Sequence, residues 1–411
     1  MNALRLTPLA FSLFALSLHS HAAEDFSNLL SQGKASLDAR YRYEYVDQDN
    51  LLNNANAQTL RTRLGFQSGK FHGLSALVEA DNVSRIGDAA YNSTRNGQSQ
   101  YSVVADPDGT EMNQALLRYD HTLGNLIGGR QRINLDNQRF IGSVAWRQNE
   151  QTFDGALGQL KPIENLTLTY AYIDNINSVF GPDNGRYASA ANPANIEGHS
   201  HLFNAQYQVA TELVITGYSY LLGLNNLALI ASGPTGTQSS KTSGVRLTGL
   251  VQGFSYAAEY ASQTDYADNP WSLDSDYYLG ELGYTLQTVA LKAGYEVLTG
   301  DSGPGARNQA FQTPLATKHA FQGWADVFLT TPIGGVEDAY LGGSMPLLGG
   351  TAQAAYHDFS AQSSVSTGDD YGSEINLSYA HPIPGVKGLV GLAKYADYSA
   401  DDFSVDTRKF W

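Results

Sequence analysis

Arginine carries most of the chemistry in this sequence, and its placement is uneven. Twelve of the 16 arginines lie between Arg40 and Arg186, and only Arg246, Arg307 and Arg408 follow. Several come two apart: Arg40 with Arg42, Arg61 with Arg63, Arg130 with Arg132. In extended chain that spacing puts both guanidiniums of a pair on one face. A guanidinium never loses its charge and grips carboxylates through two parallel N–H groups. Arg40, Arg42, Arg61, Arg63, Arg118, Arg130 and Arg132, brought together from neighbouring strands, therefore form a basic wall that concentrates anions, although the whole chain carries a formal charge of -15. A competing use is equally open at each position. Asp38, Glu44, Glu79, Asp120, Asp154, Glu259, Glu281 and Glu296 also occupy polar strand positions, and cross-strand ion pairs with them would stiffen the wall.

The densest cluster is GGRQRINLDNQRFIGSVAWRQNEQTFDG, residues 128 to 155, with Arg130, Arg132, Asp136, Arg139, Trp146, Arg147 and Asp154. Too few alternating apolar positions follow Ile133 for one strand, so the middle of this segment leaves the wall. Folded inward, it narrows the space the strands enclose and puts Arg139 and Arg147 in the path through it. TTPIGGVED, residues 330 to 338, is a second break, because its proline and paired glycines interrupt strand pairing.

The elements that must hold these side chains have a period of two. In KASLDARYRYEY, residues 34 to 45, the positions Ala35, Leu37, Ala39, Tyr41, Tyr43 and Tyr45 alternate with Lys34, Ser36, Asp38, Arg40, Arg42 and Glu44. The same separation recurs at Leu60 to Phe66, Phe254 to Tyr260, Val289 to Val297 and Ile375 to Tyr379. A soluble antiparallel sandwich turns its apolar face inward, whereas a transmembrane barrel turns it to lipid and lines its interior with the polar face. Three features favour the barrel. The strands are long, near the 9 to 11 or so residues that cross a bilayer at a tilt. Aromatic residues sit near strand ends, as at Tyr170 and Tyr172, Tyr218 and Tyr220, Tyr277 and Tyr278. The chain ends in Phe410-Trp411, with a last strand expected from Phe403 through Val405, Thr407 and Lys409 to Trp411 and Lys409 snorkelling at the rim.

Connections alternate in length. Short turns are expected at 69–73, 121–125, 161–165, 210–212, 249–253, 287–289 and 381–388, and long polar loops at 46–57, 83–111, 134–150, 174–198, 223–242, 264–275, 299–319 and 360–372. Short turns on one side and long loops on the other is the barrel rule; the strand candidates number 18 or 19, and the even count of a single-chain barrel selects 18. A barrel of that size keeps an aqueous lumen. The expected fold is thus an all-β transmembrane antiparallel barrel.

Residues 1 to 22 carry one cation, Arg5, then the apolar stretch LAFSLFALSL and a polar His19-Ser20-His21 before Ala22. This pattern predicts a secretory signal peptide cut after Ala22, leaving residues 23–411 as a single barrel domain in the outer membrane of a Gram-negative bacterium. With Arg5 removed the formal charge becomes -16. Lipid is then the expected surrounding, and the acidic balance argues against nucleic acid as a partner. The absence of cysteine excludes disulfide scaffolds and cysteine-ligated metal centres. His72, His121, His199, His201, His319, His357 and His381 stand in no motif with a nucleophile, and His199 with His201 would supply only two ligands of a metal site. No catalytic residue, metal or cofactor is expected.

The cluster at 128–155, together with FQGWADVFLTTP at 321–332, YHDF at 356–359, YGSEIN at 371–376 and AKYADYSADDFSVDTRKFW at 393–411, resembles the alginate-export family of outer-membrane porins. The resemblance covers most of the chain. It implies an 18-stranded barrel with an arginine-lined constriction passing an anionic polyuronate, and it carries Arg130, Arg132, Arg139, Arg147 and Asp154 over as lumen residues. The leading expectation is passive passage of acidic sugars. A general or small-solute porin of different preference is the second, and a hydrolase or adhesin using the barrel as a platform is the third.

Overall fold

The computed structural model describes residues 28–301, 307–365 and 368–411. One helical turn at 28–31 precedes eighteen strands. They are β1 (Lys34–Gln48), β2 (Ala55–Gln67), β3 (Leu74–Arg85), β4 (Gly109–His121), β5 (Gly124–Gln131), β6 (Thr152–Leu160), β7 (Leu166–Asn177), β8 (Asn195–Ala210) and β9 (Leu213–Leu222). The series continues with β10 (Ser240–Val251), β11 (Phe254–Asp265), β12 (Asp274–Leu286), β13 (Val289–Thr299), β14 (Gly335–Leu347), β15 (Gly350–Ser360), β16 (Asp370–Pro382), β17 (Val390–Ala400) and β18 (Thr407–Phe410). Each pairs antiparallel with its sequence neighbours, and β1 pairs with both β2 and β18, so the sheet closes on itself. The leader expected at 1–22 lies outside the described residues.

Which face looks outward decides between the two architectures. Leu37, Leu282 and Leu341 are 69%, 66% and 61% exposed, while Arg42, Glu44, Glu296 and Glu374 are buried. A water-soluble sheet would show the opposite pattern. Apolar side chains outside and charged ones inside are what lipid on one face and a polar lumen on the other require.

Two-residue turns at 122–123, 211–212, 252–253, 287–288 and 348–349 join strands at one end. Gln252 and Gly253 both have positive φ, 50° and 86°, as do Leu348 and Gly349 at 47° and 83°, the backbone that lets two residues connect twisted strands. The longer connections lie at the other end, with loops 86–108, 132–151, 178–194, 223–239 and 300–334 the largest.

Most connections lie within four residues of expectation, and three features depart further. The turn at 348–349 had no sequence signal strong enough to set it apart. The loop expected at 299–319 runs on to 334. The last strand is short, and its faces are reversed. Thr407, Lys409 and Trp411 turn inward and are buried, while Phe410 faces outward. The reason is an interior anion: Lys409 Nζ reaches Asp326 Oδ2 at 2.8 Å.

Candidate functional site

Two long loops meet inside the barrel. Loop 132–151 leaves β5, loop 300–334 leaves β13, and their backbones join: Gly142 N–H donates to Leu315 O at 2.9 Å and Thr317 N–H to Gln138 O at 3.0 Å. The Gln151 amide adds bonds to the carbonyls of Gly142 (2.8 Å) and Leu315 (3.1 Å). A Cβ on Gly142 would stand 2.3 Å from Thr317 Oγ1, so only glycine permits this approach. Phe140, Ile141, Phe311 and Leu315 pack beneath the joint against Tyr218, Tyr220 and Tyr277 of the wall. Together residues 132–151 and 307–334 form a lid across the lumen.

The wall arginines tie the lid down. Arg40 donates to Gln148 Oε1 (2.9 Å) and to the carbonyls of Ala145 (3.0 Å) and Arg147, and Arg42 donates to the carbonyl of Trp146. Three consecutive carbonyls are thus held by two guanidiniums of β1, and Arg42 also lies 4.2 Å over the Trp146 ring. On the opposite wall Arg139 Nε meets Glu296 at 2.7 Å, where Tyr277 also donates at 2.7 Å. Glu374 of β16 accepts from the backbone N–H of Ala325 at 2.9 Å.

Where the lid meets β17 and the end of β18, three of the four tryptophans, Trp146, Trp324 and Trp411, gather with His319, Asp326 and Lys394. The His319 ring stacks on Trp146 with 4.3 Å between centroids and 5° between planes. Its Nδ1 is 2.7 Å from Asp326 and its Nε2 is 2.6 Å from Lys394 Nζ. Burial outweighs the pull of Asp326 and pushes the imidazole down to about 3, so the ring is neutral, donating from Nδ1–H and accepting at Nε2. Burial also opposes charge on Asp326. The hydrogen bond from His319 and the cations Lys409 and Arg147 nevertheless hold its carboxyl well below the usual carboxylate range.

The residues singled out from sequence fall into place as follows. Arg118 meets Asp120 at 2.7 Å, and Arg130 grips Asp154 through two bonds of 2.7 and 2.9 Å. Arg61 meets Asp38, and Arg63 meets Asp81 and Glu150 at 2.5 Å each. Arg132 meets Glu79 at 2.5 Å and also Glu150, and Arg42 meets Glu44 at 3.0 Å. Arg147 bridges Glu44 (3.0 Å) and Asp326 (3.3 Å). Among the described residues, eight of these nine arginines therefore have a carboxylate in ion-pair range, and Arg40 is the exception. Arg139, only 2% exposed, is a strut inside the lid rather than a group facing open lumen. Sequence reasoning missed Asp106, Glu150, Asp326, Lys394 and the tryptophan cluster. Of these, Trp324 and Asp326 stand in GWAD at 323–326, a stretch that no expected strand or loop covered.

Below the lid, toward the short turns, lies a cavity of about 870 Å³. Its roof is Trp146, Phe321 and Trp324, its wall carries Arg246, Glu281, Lys292, Tyr340 and His357, and it reaches Ser255 and Thr285 beside the two-residue turns.

A closed 18-stranded barrel with an apolar outside, a charged inside and loops folded into its lumen is the architecture of an outer-membrane channel. Residues 31–328 match the family model described as alginate export, and the chain belongs to that family. Solved structures of the same fold include Pseudomonas aeruginosa OccK3 (OpdO), at 14% identity and a TM-score of 0.69 with 95% of this chain and 97% of that chain covered. Acinetobacter baumannii OccAB2 is similar at 15% identity and a TM-score of 0.69, covering 93% and 97%. P. aeruginosa OpdL shares 18% identity at a TM-score of 0.66, covering 93% and 98%. No match appears among curated protein sequences.

Proposed function

We propose that this outer-membrane channel passes anionic sugars, of the polyuronate class, by diffusion guided by its basic wall and without catalysis. The observation that carries the reading is the one-sided file of arginines from β1, β2, β4 and β5. Among the described residues Arg40 has no carboxylate in ion-pair range, and Arg118, Arg130 and Arg132 keep 38%, 27% and 28% of their side chains exposed. Lid carbonyls hold Arg40 and carboxylates hold Arg118, Arg130 and Arg132, so little ordering remains to be done when an anion arrives. Export to the outer membrane through cleavage after Ala22 belongs to the same reading.

One observation favours a second reading, a small-solute porin without strong charge preference: most arginines are already neutralised by wall carboxylates. Liposome swelling separates the two. The first reading expects glucuronate to enter faster than glucose, and the advantage to shrink when Arg40, Arg118 and Arg130 become glutamine. Equal rates for the two sugars in the unaltered protein would support the second.

A further inference from the structure

Lys394 of β17 stands apart from the other cations of the cavity. It is 7% exposed, lines the space beneath the lid, and has no carboxylate in ion-pair range among the described residues. Arg246 is matched by Glu259, and Lys292 by Glu281 at 3.1 Å. Lys394 Nζ instead bonds the neutral His319 at 2.6 Å and sits 3.7 Å from the Trp324 ring centroid, 4.3 Å from Trp146 and 5.4 Å from Trp411. An ammonium has three N–H donors, of which the imidazole takes one. Indole faces attract the charge but supply less than an anion would, and a buried charge without a counter-ion is costly. The site therefore presents a desolvated cation, ringed by flat aromatic surfaces, to a cavity large enough for a sugar.

The carboxylates around the same cavity are engaged elsewhere and leave Lys394 to a ligand. Glu281 is held by Lys292 and by the Tyr340 hydroxyl at 2.6 Å, Glu296 by Arg139, and Asp338 by His357 at 2.9 Å. The matching ligand has a carboxylate beside a ring with apolar C–H faces. We infer that the cavity holds a subsite for one uronate residue, its carboxylate on Lys394 Nζ and its ring against Trp324 and Phe321. The subsite lies on the short-turn side of the lid, so it fills from that mouth. This inference rests on the acidic-sugar reading above.

The test titrates the full chain in detergent with tri-D-mannuronate, with maltotriose as the neutral control, reading tryptophan fluorescence. A saturable change with the uronate alone is expected. Lys394→Gln should raise the half-saturating concentration by roughly tenfold or more, as loss of a charged hydrogen bond does, and Lys394→Arg should restore most of the response. An unchanged midpoint in Lys394→Gln overturns the subsite. If that variant does not fold, Trp324→Phe decides: the fluorescence change should shrink, and an undiminished change overturns the assignment. Reversal potentials on the same proteins separate the two levels. Anion preference with an unchanged uronate response in Lys394→Gln removes only the subsite, whereas cation preference in the unaltered channel removes the broader reading.

Discussion

Arg139 and Arg118 show how differently one residue type is used along this lumen. Arg139 is buried with Glu296, Gln322 and Thr313 around it, so Arg139→Gln strands a carboxylate that is 3% exposed. The expected loss is about 3–5 kcal/mol, read as an earlier urea midpoint for the folded barrel. Arg118→Gln breaks a partly solvated pair near the rim and should cost less than about 1 kcal/mol. Alternation along β1, β2, β4 and β5 was enough to place Arg40, Arg42, Arg61, Arg63, Arg118 and Arg130 inside. Their partners were less legible. Asp106, Glu150 and Asp326 come from loops, where no period says which way a side chain turns. Lys409 was misassigned for the same reason: nothing in the strand itself revealed the anion waiting for it across the lumen.

The lid is the element on which the account turns. Its first half was visible in sequence because alternation fails after Ile133. Its second half was legible only in part, since 299–319 reads as a loop and 330–338 as a break, while nothing in FQGWADVFL between them shows that it folds inward. Gly142→Val should push Thr317 away and part the two loops, raising single-channel conductance without changing the barrel's circular dichroism. Acid should loosen the same joint. The His319 value of about 3 lies below its ordinary 6.5, so its contribution is complete above pH 6.5 or so and is lost as pH falls toward 3. Asp326 is depressed too, and its share disappears lower still. A charged imidazole would also face Lys394, Arg147 and Lys409. Hydrogen exchange across 314–326 should therefore speed up between pH 7 and pH 4, and His319→Gln should flatten that profile. A rate ratio independent of pH would contradict the role given to His319.

For the whole molecule, the fold was the most legible feature, because a repeated two-residue period with outward leucine and inward arginine admits few architectures. Closure follows from it, while the strand number also needed the even-count rule and the connections were read from their own composition. Substrate preference was less legible, because it depends on which charges stay uncompensated after the loops fold in. The leader proposed at the N-terminus predicts that protein recovered from outer membranes begins at Ala23, which an intact mass measures directly. The sharpest test is the reversal potential of the reconstituted channel across a salt gradient. Anion preference is expected, falling toward none when Arg40, Arg118 and Arg130 are changed together to glutamine. Cation preference that those three changes leave in place would contradict the account.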